Sequence, residues 1–288
     1  MNAITDVHFR GVWPAAVTPM TVDGEIDGPS CARLAAHFSS CGVTGIVVAG
    51  TTGEGPSLAA VERRDLLKFF RAGSDLPLVL GVTTSSLAEA CWLANQAQKL
   101  GAAGLLVLPP SYFRPVADEQ LVGWFRKVAA ETALPLLAYN FPQRSGVTIS
   151  PELLEQLAQI PNVVGVKDSS GDPENIATFA HSMPAANRFV GDERLLPNAL
   201  QHGWVGTISG AANVLARHLV AYVNEPSDVR FELIRPVLEA ARRSSQPACH
   251  KQWLYRKGII ESPALRLPLV ESTEPDELTR SLAQLGIG

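Results

Sequence analysis

The sequence predicts an α/β protein: a (β/α)8 barrel, of the TIM type, followed by a C-terminal helical extension. Three observations predict it. Eight short apolar or β-rich runs recur along the chain, segments with helical periodicity separate them, and no Ser/Pro-rich linker or break in composition divides the series. Strands alternating with helices every ~20 to 30 residues make successive βαβ units and hence a parallel sheet, and eight such units close a barrel. A chain of 288 residues is long enough to bury the core this requires.

In chain order the candidate strands are VWPAAVT (12–18), GIVVAG (45–50), LPLVLG (76–81), GLLVLPP (104–110), LPLLAYN (134–140), VVGVKD (163–168), RFVGD (188–192) and VGTIS (205–209). Each is a short apolar or β-rich run, as expected of strands buried on both faces of a parallel sheet. Between them LAAVERRDLLKFFRAG (58–73), LAEACWLANQAQKL (87–100) and DEQLVGWFRKVAAETA (118–133) repeat apolar residues with a helical period and close near Gly or Pro, as helix ends tend to. The reading is one barrel over residues 1–224 and an extension over 225–288, where FELIRPVLEAARR and ACHKQWLYRKGII carry apolar stripes but little strand character. A doubly wound open sheet is the alternative. Against it, GTTGEG lacks the GxGxxG order of a dinucleotide fingerprint and no GxxxxGK[ST] occurs.

Composition removes several classes of function. With 46% hydrophobic and 18% charged residues the chain has a soluble globular make-up. Its 24 Lys and Arg against 28 Asp and Glu supply no basic field for nucleic acid or an anionic membrane, so an anionic ligand must be met locally. No apolar run approaches the roughly 20 residues of a membrane span, and the start MNAITDVHFRGVW lacks a signal peptide's pattern, so a cytoplasmic protein is expected. Cys31, Cys41, Cys91 and Cys249 are scattered, without a CxxC pair, which points to reduced, buried thiols rather than a disulfide framework or a zinc site. The six histidines form no HExxH pair and are expected in surface or packing roles.

The residue that asks for an explanation is Lys167, at the end of the apolar run VVGV. An unpartnered buried ammonium costs several kcal/mol, so the side chain must escape to solvent, pair with a carboxylate such as Asp168, or have a chemical use. In a barrel, the carboxyl ends of the strands face the active-site mouth. That rule gathers Thr51 and Thr52 after the second strand, Tyr112 after the fourth, Tyr139 and Arg144 around the fifth, Lys167 on the sixth and Ser209 at the eighth. Alternation predicts Val163, Gly165 and Lys167 on one face, with the missing side chain of Gly165 leaving space beside the amine. Apolar surroundings lower a lysine's pKa from near 10.4 toward roughly 7 to 8, which makes Schiff-base formation with a ketone feasible. The protonated imine is then an electron sink for a carbanion at the adjacent carbon.

Such chemistry needs a proton shuttle, for which Tyr139 beside the Thr51 hydroxyl is suited; the alternative for Tyr139 is an amphipathic residue capping the core with its hydroxyl in water. GTTGEG is either a glycine-bearing turn into a helix or a cradle of amides and hydroxyls for a carboxylate. Arg144 is either a solvated loop cation or a guanidinium that clamps a second carboxylate.

The motifs GTTGE (50–54), YNFPQRSG (139–146), GVKDSSGD (165–172) and GTISGAAN (206–213) together give a resemblance that runs nearly end to end, from GVWPAAVTPMTVDGEID to YRKGIIESPALRLPL. The chain resembles the dihydrodipicolinate synthase/N-acetylneuraminate lyase family of pyruvate-dependent class I aldolases. The resemblance implies that Lys167 forms a Schiff base with pyruvate, that Tyr139 is the general acid/base, and that Thr51 links it to Tyr112, a residue reaching into a neighbouring subunit's site. It further implies that Thr52 holds the pyruvate carboxylate, that Gly191 and Ile208 line the pocket through their main chains, and that no metal or organic cofactor is needed. A homodimer is then the smallest catalytic unit, usually paired into a homotetramer. Arg144 in YNxPxRxG and the GxIS motif favour condensation of pyruvate with L-aspartate semialdehyde, as in lysine biosynthesis. GEGPSL, KDSSGD and Ser111, which stands where a second tyrosine is usual, resemble 2-keto-3-deoxy sugar-acid aldolases or dehydratases. A non-catalytic keto-acid-binding barrel is the third possibility. Of the lysine-effector site of the synthases only Glu89 remains, since Ser111, Gly55, Pro56 and Ala60 stand at its other positions, so weak or absent inhibition by lysine is expected.

Overall fold

The computed structural model of the chain describes residues 9–272 and 277–286. Eight strands, β1 (Gly11–Pro14), β2 (Ile46–Val48), β3 (Leu78–Val82), β4 (Gly104–Val107), β5 (Leu136–Asn140), β6 (Val163–Asp168), β7 (Asn187–Val190) and β8 (Gly206–Ser209), fall on the eight apolar runs. They pair in parallel in chain order from β2 to β8, and β8 pairs with β1. A parallel bridge from Ala15 to Val47 carries the remaining seam, where the Ala16 amide donates to the Val47 carbonyl and the Thr44 amide to that of Val12. The barrel expected from the sequence is therefore the fold.

The helices are α1 (Gly28–Ser40), α2 (Ala60–Arg71), α3 (Leu87–Lys99), α4 (Asp118–Ala130), α5 (Pro142–Ser145), α6 (Pro151–Leu157), α7 (Glu174–Ser182), α8 (Leu196–Gln201), α9 (Ala212–Asn224), α10 (Asp228–Arg243), α11 (Ala248–Arg256) and α12 (Glu277–Gln284). Their starts follow local chemistry. Asp27, Ser86, Ser150 and Ser227 each accept a hydrogen bond from an amide in the first turn of α1, α3, α6 and α10, relieving donors that have no partner within the helix. Pro29 and Pro151 occupy first-turn positions, where a missing N–H costs nothing.

Side-chain alternation along the strands builds two apolar layers. Trp13, Val47, Val79, Leu106, Leu137, Tyr139, Phe189 and Ile208 fill the barrel interior. Ile46, Val48, Leu78, Leu80, Leu105, Leu136 and Val166 point outward to helix residues such as Leu34, Phe38, Leu66 and Phe70. One departure from simple alternation matters for the site. The β5–β6 register shifts between Leu136 and Leu137, which pair with Val163 and Gly165. The irregularity turns Val163 outward with Leu136 and leaves Val164 against the interior cluster, so Val163 does not share a face with Lys167 as strict alternation predicts.

Beyond β8, α9 packs on β1, α10 lies on α9 and on the Glu193–Leu195 turn, and α12 packs on α10. The segment after α11 is pinned by Arg266. Its guanidinium meets both Glu62 oxygens, with Nη1 2.6 Å from Oε2, and donates to the carbonyls of Gly24 and Ser57. None of the four cysteines is in a disulfide; Cys31, Cys41 and Cys249 are buried, whereas Cys91 is only half-buried, short of the full burial expected.

Candidate active site

The carboxyl ends of the strands open into a cavity lined by Thr51, Thr52, Tyr139, Arg144, Lys167 and Gly191. Each arrives from a different local cause. Tyr139 on β5 and Lys167 on β6 are register partners, so their side chains stand side by side inside the barrel. The next pair, Asn140 and Asp168, points the other way, and the Asn140 amide donates to Asp168 at 2.8 Å. Asp168 also accepts from the Ser170 amide and hydroxyl; burial nevertheless pushes its carboxyl above the usual carboxylate range. The carboxylate next to Lys167 in sequence is thus not its partner in space.

Lys167 is 5% exposed and makes no ion pair among the described residues. Its Nζ lies 4.3 Å from the centre of the Tyr139 ring. That is a cation–π distance, at which the ring face attracts an ammonium without an acid beside it. Gly165 does not supply the room beside the amine, since a Cβ there would meet the Asn187 carbonyl oxygen at 2.1 Å and Leu137 Cδ2 at 2.8 Å. Gly191 at the end of β7 does so instead: a Cβ on it would lie 2.8 Å from Lys167 Cε and 2.0 Å from Ser169 Oγ.

The Tyr139 hydroxyl is 3.5 Å from Thr51 Oγ1, the outer limit of a hydrogen bond. Thr51 and Thr52 ride on a turn in which Ala49 and Glu54, neither a glycine, have φ of 55° and 57°. Such conformations cost about 1–2 kcal/mol each and persist only where neighbours hold them. Here the Thr18 hydroxyl donates to the Gly53 carbonyl at 2.6 Å. Glu54 and Lys251 of α11 form an ion pair at 2.5 Å with neither side chain exposed. Glu54 also accepts the Arg266 amide, and Lys251 donates to the Ala264 carbonyl at 2.6 Å. Burial lowers the Lys251 pKa, with Glu54 opposing that shift. Among the described residues nothing accepts from the Thr51 or Thr52 amide, and both residues line the cavity.

Arg144 lies in α5, lines the cavity and makes no ion pair among the described residues. Ile208 sits one layer down, in the interior cluster with Tyr139, and Gly210 stands at the cavity wall in its place. Tyr112 is 79% exposed, stacks edge-on against Phe113 and does not line the cavity of its own chain. Ser209 donates its hydroxyl to Glu193 at 2.5 Å instead of lining the cavity.

The far wall holds residues that sequence reasoning missed. Ser169, Asp192 and Glu193 come from the ends of β6 and β7, while Arg242, Gln246 and Pro247 come from α10 and the turn that follows it. The GVKDSSGD and RFVGD runs carried a signal for Ser169 and Asp192, being strand ends in a barrel, with Glu193 the next residue. Nothing in the local pattern of α10 distinguishes Arg242 from its neighbour Arg243, which pairs with Glu277. Among the described residues no group of three or more His, Cys, Asp or Glu side chains is arranged to hold a metal ion, and no helix is long and apolar enough to cross a membrane.

A closed parallel barrel with one unpaired lysine among a tyrosine, two threonines and an arginine at its carboxyl end is the plan of a barrel lyase of the aldolase kind. The chain belongs to the Dihydrodipicolinate synthetase family, which it matches over residues 8–284. It is 34% identical to the 4-hydroxy-tetrahydrodipicolinate synthase of Archaeoglobus fulgidus, over 92% of this chain and 94% of that one. Among solved structures it resembles dihydrodipicolinate synthase from Thermotoga maritima, with a TM-score of 0.90 and 31% identity over 97% of this chain and 99% of that one. The chloride-inhibited enzyme from Acinetobacter baumannii, complexed with pyruvate, has a TM-score of 0.90 and 29% identity over 97% of this chain and all of the other.

Proposed function

We propose that the protein condenses pyruvate with L-aspartate semialdehyde, the 4-hydroxy-tetrahydrodipicolinate synthase reaction, through a Schiff base on Lys167. The observation that carries this reading is a buried lysine with no ion pair among the described residues, packed between the Tyr139 ring and Gly191 in a cavity lined by Thr51, Thr52 and Arg144. The Lys167 amine attacks the pyruvate ketone carbon, and water leaves to give the protonated imine. Loss of a methyl proton gives the enamine, which attacks the aldehyde carbon; the amino group of the second substrate then attacks the imine carbon, closing the ring and expelling the Lys167 amine. Tyr139, near the Thr51 hydroxyl, moves the protons. Thr52 and the Thr51 amide receive the pyruvate carboxylate, Gly191 and Gly210 bound the pocket above Ile208, and Arg144 receives the carboxylate of the aldehyde.

Exposed Tyr112 suits completion of a neighbouring subunit's site, so a homodimer or homotetramer is the proposed active form. Four cysteines outside any disulfide suit a reducing compartment such as the cytoplasm. A second reading, aldol cleavage or dehydration of a 2-keto-3-deoxy sugar acid, draws on Ser169, Asp192 and Glu193, whose oxygens suit a polyol.

The test is pyruvate consumption with and without L-aspartate semialdehyde, beside borohydride trapping with pyruvate. Turnover above roughly 1 s⁻¹ that requires the aldehyde, with the adduct mapped to Lys167, supports the synthase. An adduct without that turnover moves the substrate to the sugar acids, and no adduct overturns the Schiff base.

A further inference from the structure

The extension delivers to the cavity a cation that the mechanism above leaves unused. Arg242, in the last turn of α10, lines the wall shared by Asp192, Glu193 and Ser169. Its Nε lies 3.6 Å from Asp192 Oδ2, a loose ion pair. Asp192 is already taken by Arg194, whose Nε and Nη2 meet its two oxygens at 2.9 and 2.6 Å. Arg242 makes no hydrogen bond among the described residues and is half exposed, so its planar fork of donors remains free. The loop after β6 backs the group without using those donors: a Cβ on Gly171, whose φ is +75°, would lie 3.6 Å from Arg242 Nη2.

The charge balance of the lining points the same way. Lys167, Arg144 and Arg242 face two acids, Asp192 and Glu193. Arg194 compensates Asp192. Glu193 accepts the Ser209 hydroxyl and the Ala211 amide, and burial pushes its carboxyl up toward the neutral form. The ligand therefore meets an excess of positive charge, more than the single carboxylate of pyruvate would balance.

We propose that Arg242 is a specificity-determining residue that joins Arg144 in selecting a second substrate with a carboxylate remote from its carbonyl group. The inference rests on the aldolase reading above and deepens it, replacing one guanidinium at the mouth by a pair supplied from the barrel and from the extension. Neutral polyol aldehydes leave both cations without a partner and are selected against.

The test compares wild type, R242Q, R242K and R144A. The first readout is calorimetric binding of succinate, a short acid probe, against glycerol in saturating pyruvate. The second is the kinetics of L-aspartate semialdehyde against glyceraldehyde. R242Q is expected to weaken succinate binding and raise the KM of the acidic aldehyde about tenfold or more, with R242K recovering part of the loss. The KM of pyruvate and the yield of borohydride adduct should stay within about twofold, which a general loss of structure would not allow. Succinate binding unchanged in R242Q, or wild type binding succinate no better than glycerol, overturns the proposal. If no acidic aldehyde turns over, the condensation reading fails while the succinate titration still decides the role of Arg242.

Discussion

At the scale of single residues the site depends on what is absent as much as on what is present. Gly191 is the clearest case, because a Cβ there would overlap Ser169 Oγ and press on Lys167 Cε. Gly191→Ala should therefore slow formation of the pyruvate adduct by tenfold or more, with a thermal midpoint lowered by only a few degrees, since the collision falls on side chains at the strand ends. Stopped-flow adduct formation beside a melting curve checks it, and an unchanged rate would remove Gly191 from the site. For Tyr139→Phe the expectation is a fall in kcat of about 10² to 10⁴ with the KM of pyruvate little changed, the signature of a lost proton carrier. Lys167 was legible because a lysine at the end of an apolar run is an anomaly in any sequence. The role of Gly165 was misread because which glycine lies beside an amine depends on the neighbouring strand.

At the scale of elements the Thr51–Glu54 turn and the extension are one unit. Two left-handed non-glycine residues hold the turn in shape only if Glu54 is fixed, and a buried ion pair with Lys251 of α11 fixes it. Lys251→Met leaves the Glu54 carboxylate buried and alone, so the variant should lose about 3 to 5 kcal/mol of stability. The double variant with Glu54→Gln should recover much of that loss in urea unfolding. A single variant as stable as wild type would show that the pair is not structural. The expected insensitivity to lysine also has its basis between elements. Glu89 Oε1 is 3.0 Å from Arg63 Nη1, and its other oxygen accepts the Thr84 hydroxyl at 3.2 Å. A carboxylate already matched to a guanidinium has little left for an incoming ammonium, so an inhibition constant for lysine above about 1 mM is expected. A low-micromolar constant measured in the condensation assay would contradict it.

At the scale of the whole molecule Arg266 ties the segment after α11 to the loop after β1 and to α2 through Glu62. The hydrogen bond from Arg266 holds the Glu62 carboxyl below its ordinary 4.5, with burial opposing. A carboxyl depressed in the fold gives stability that is complete above pH 4.5 and drains away as the pH falls toward the lower folded value. Glu62→Gln should therefore narrow the gap in melting temperature between pH 7 and pH 4 relative to wild type. An identical gap would show that the bridge adds nothing to acid sensitivity.

The sequence by itself determined the barrel, because eight apolar runs punctuated by helical periods leave few other ways to bury that much surface. It also brought Thr51, Thr52, Tyr139 and Lys167 to the mouth, since barrel geometry converts position along a strand into position there, but not Ser209 or Tyr112, which do not line the cavity. What it could not determine was which groups from distant parts of the chain would complete the wall. Arg242 and Gln246 reach the cavity only because α10 packs back on α9 and on the Glu193–Leu195 turn after β7, and Arg242 differs from Arg243 only in the direction the helix turns it. The β5–β6 register shift likewise sets which valine faces inward. Those choices follow from packing between elements, which strand alternation and helical period do not encode.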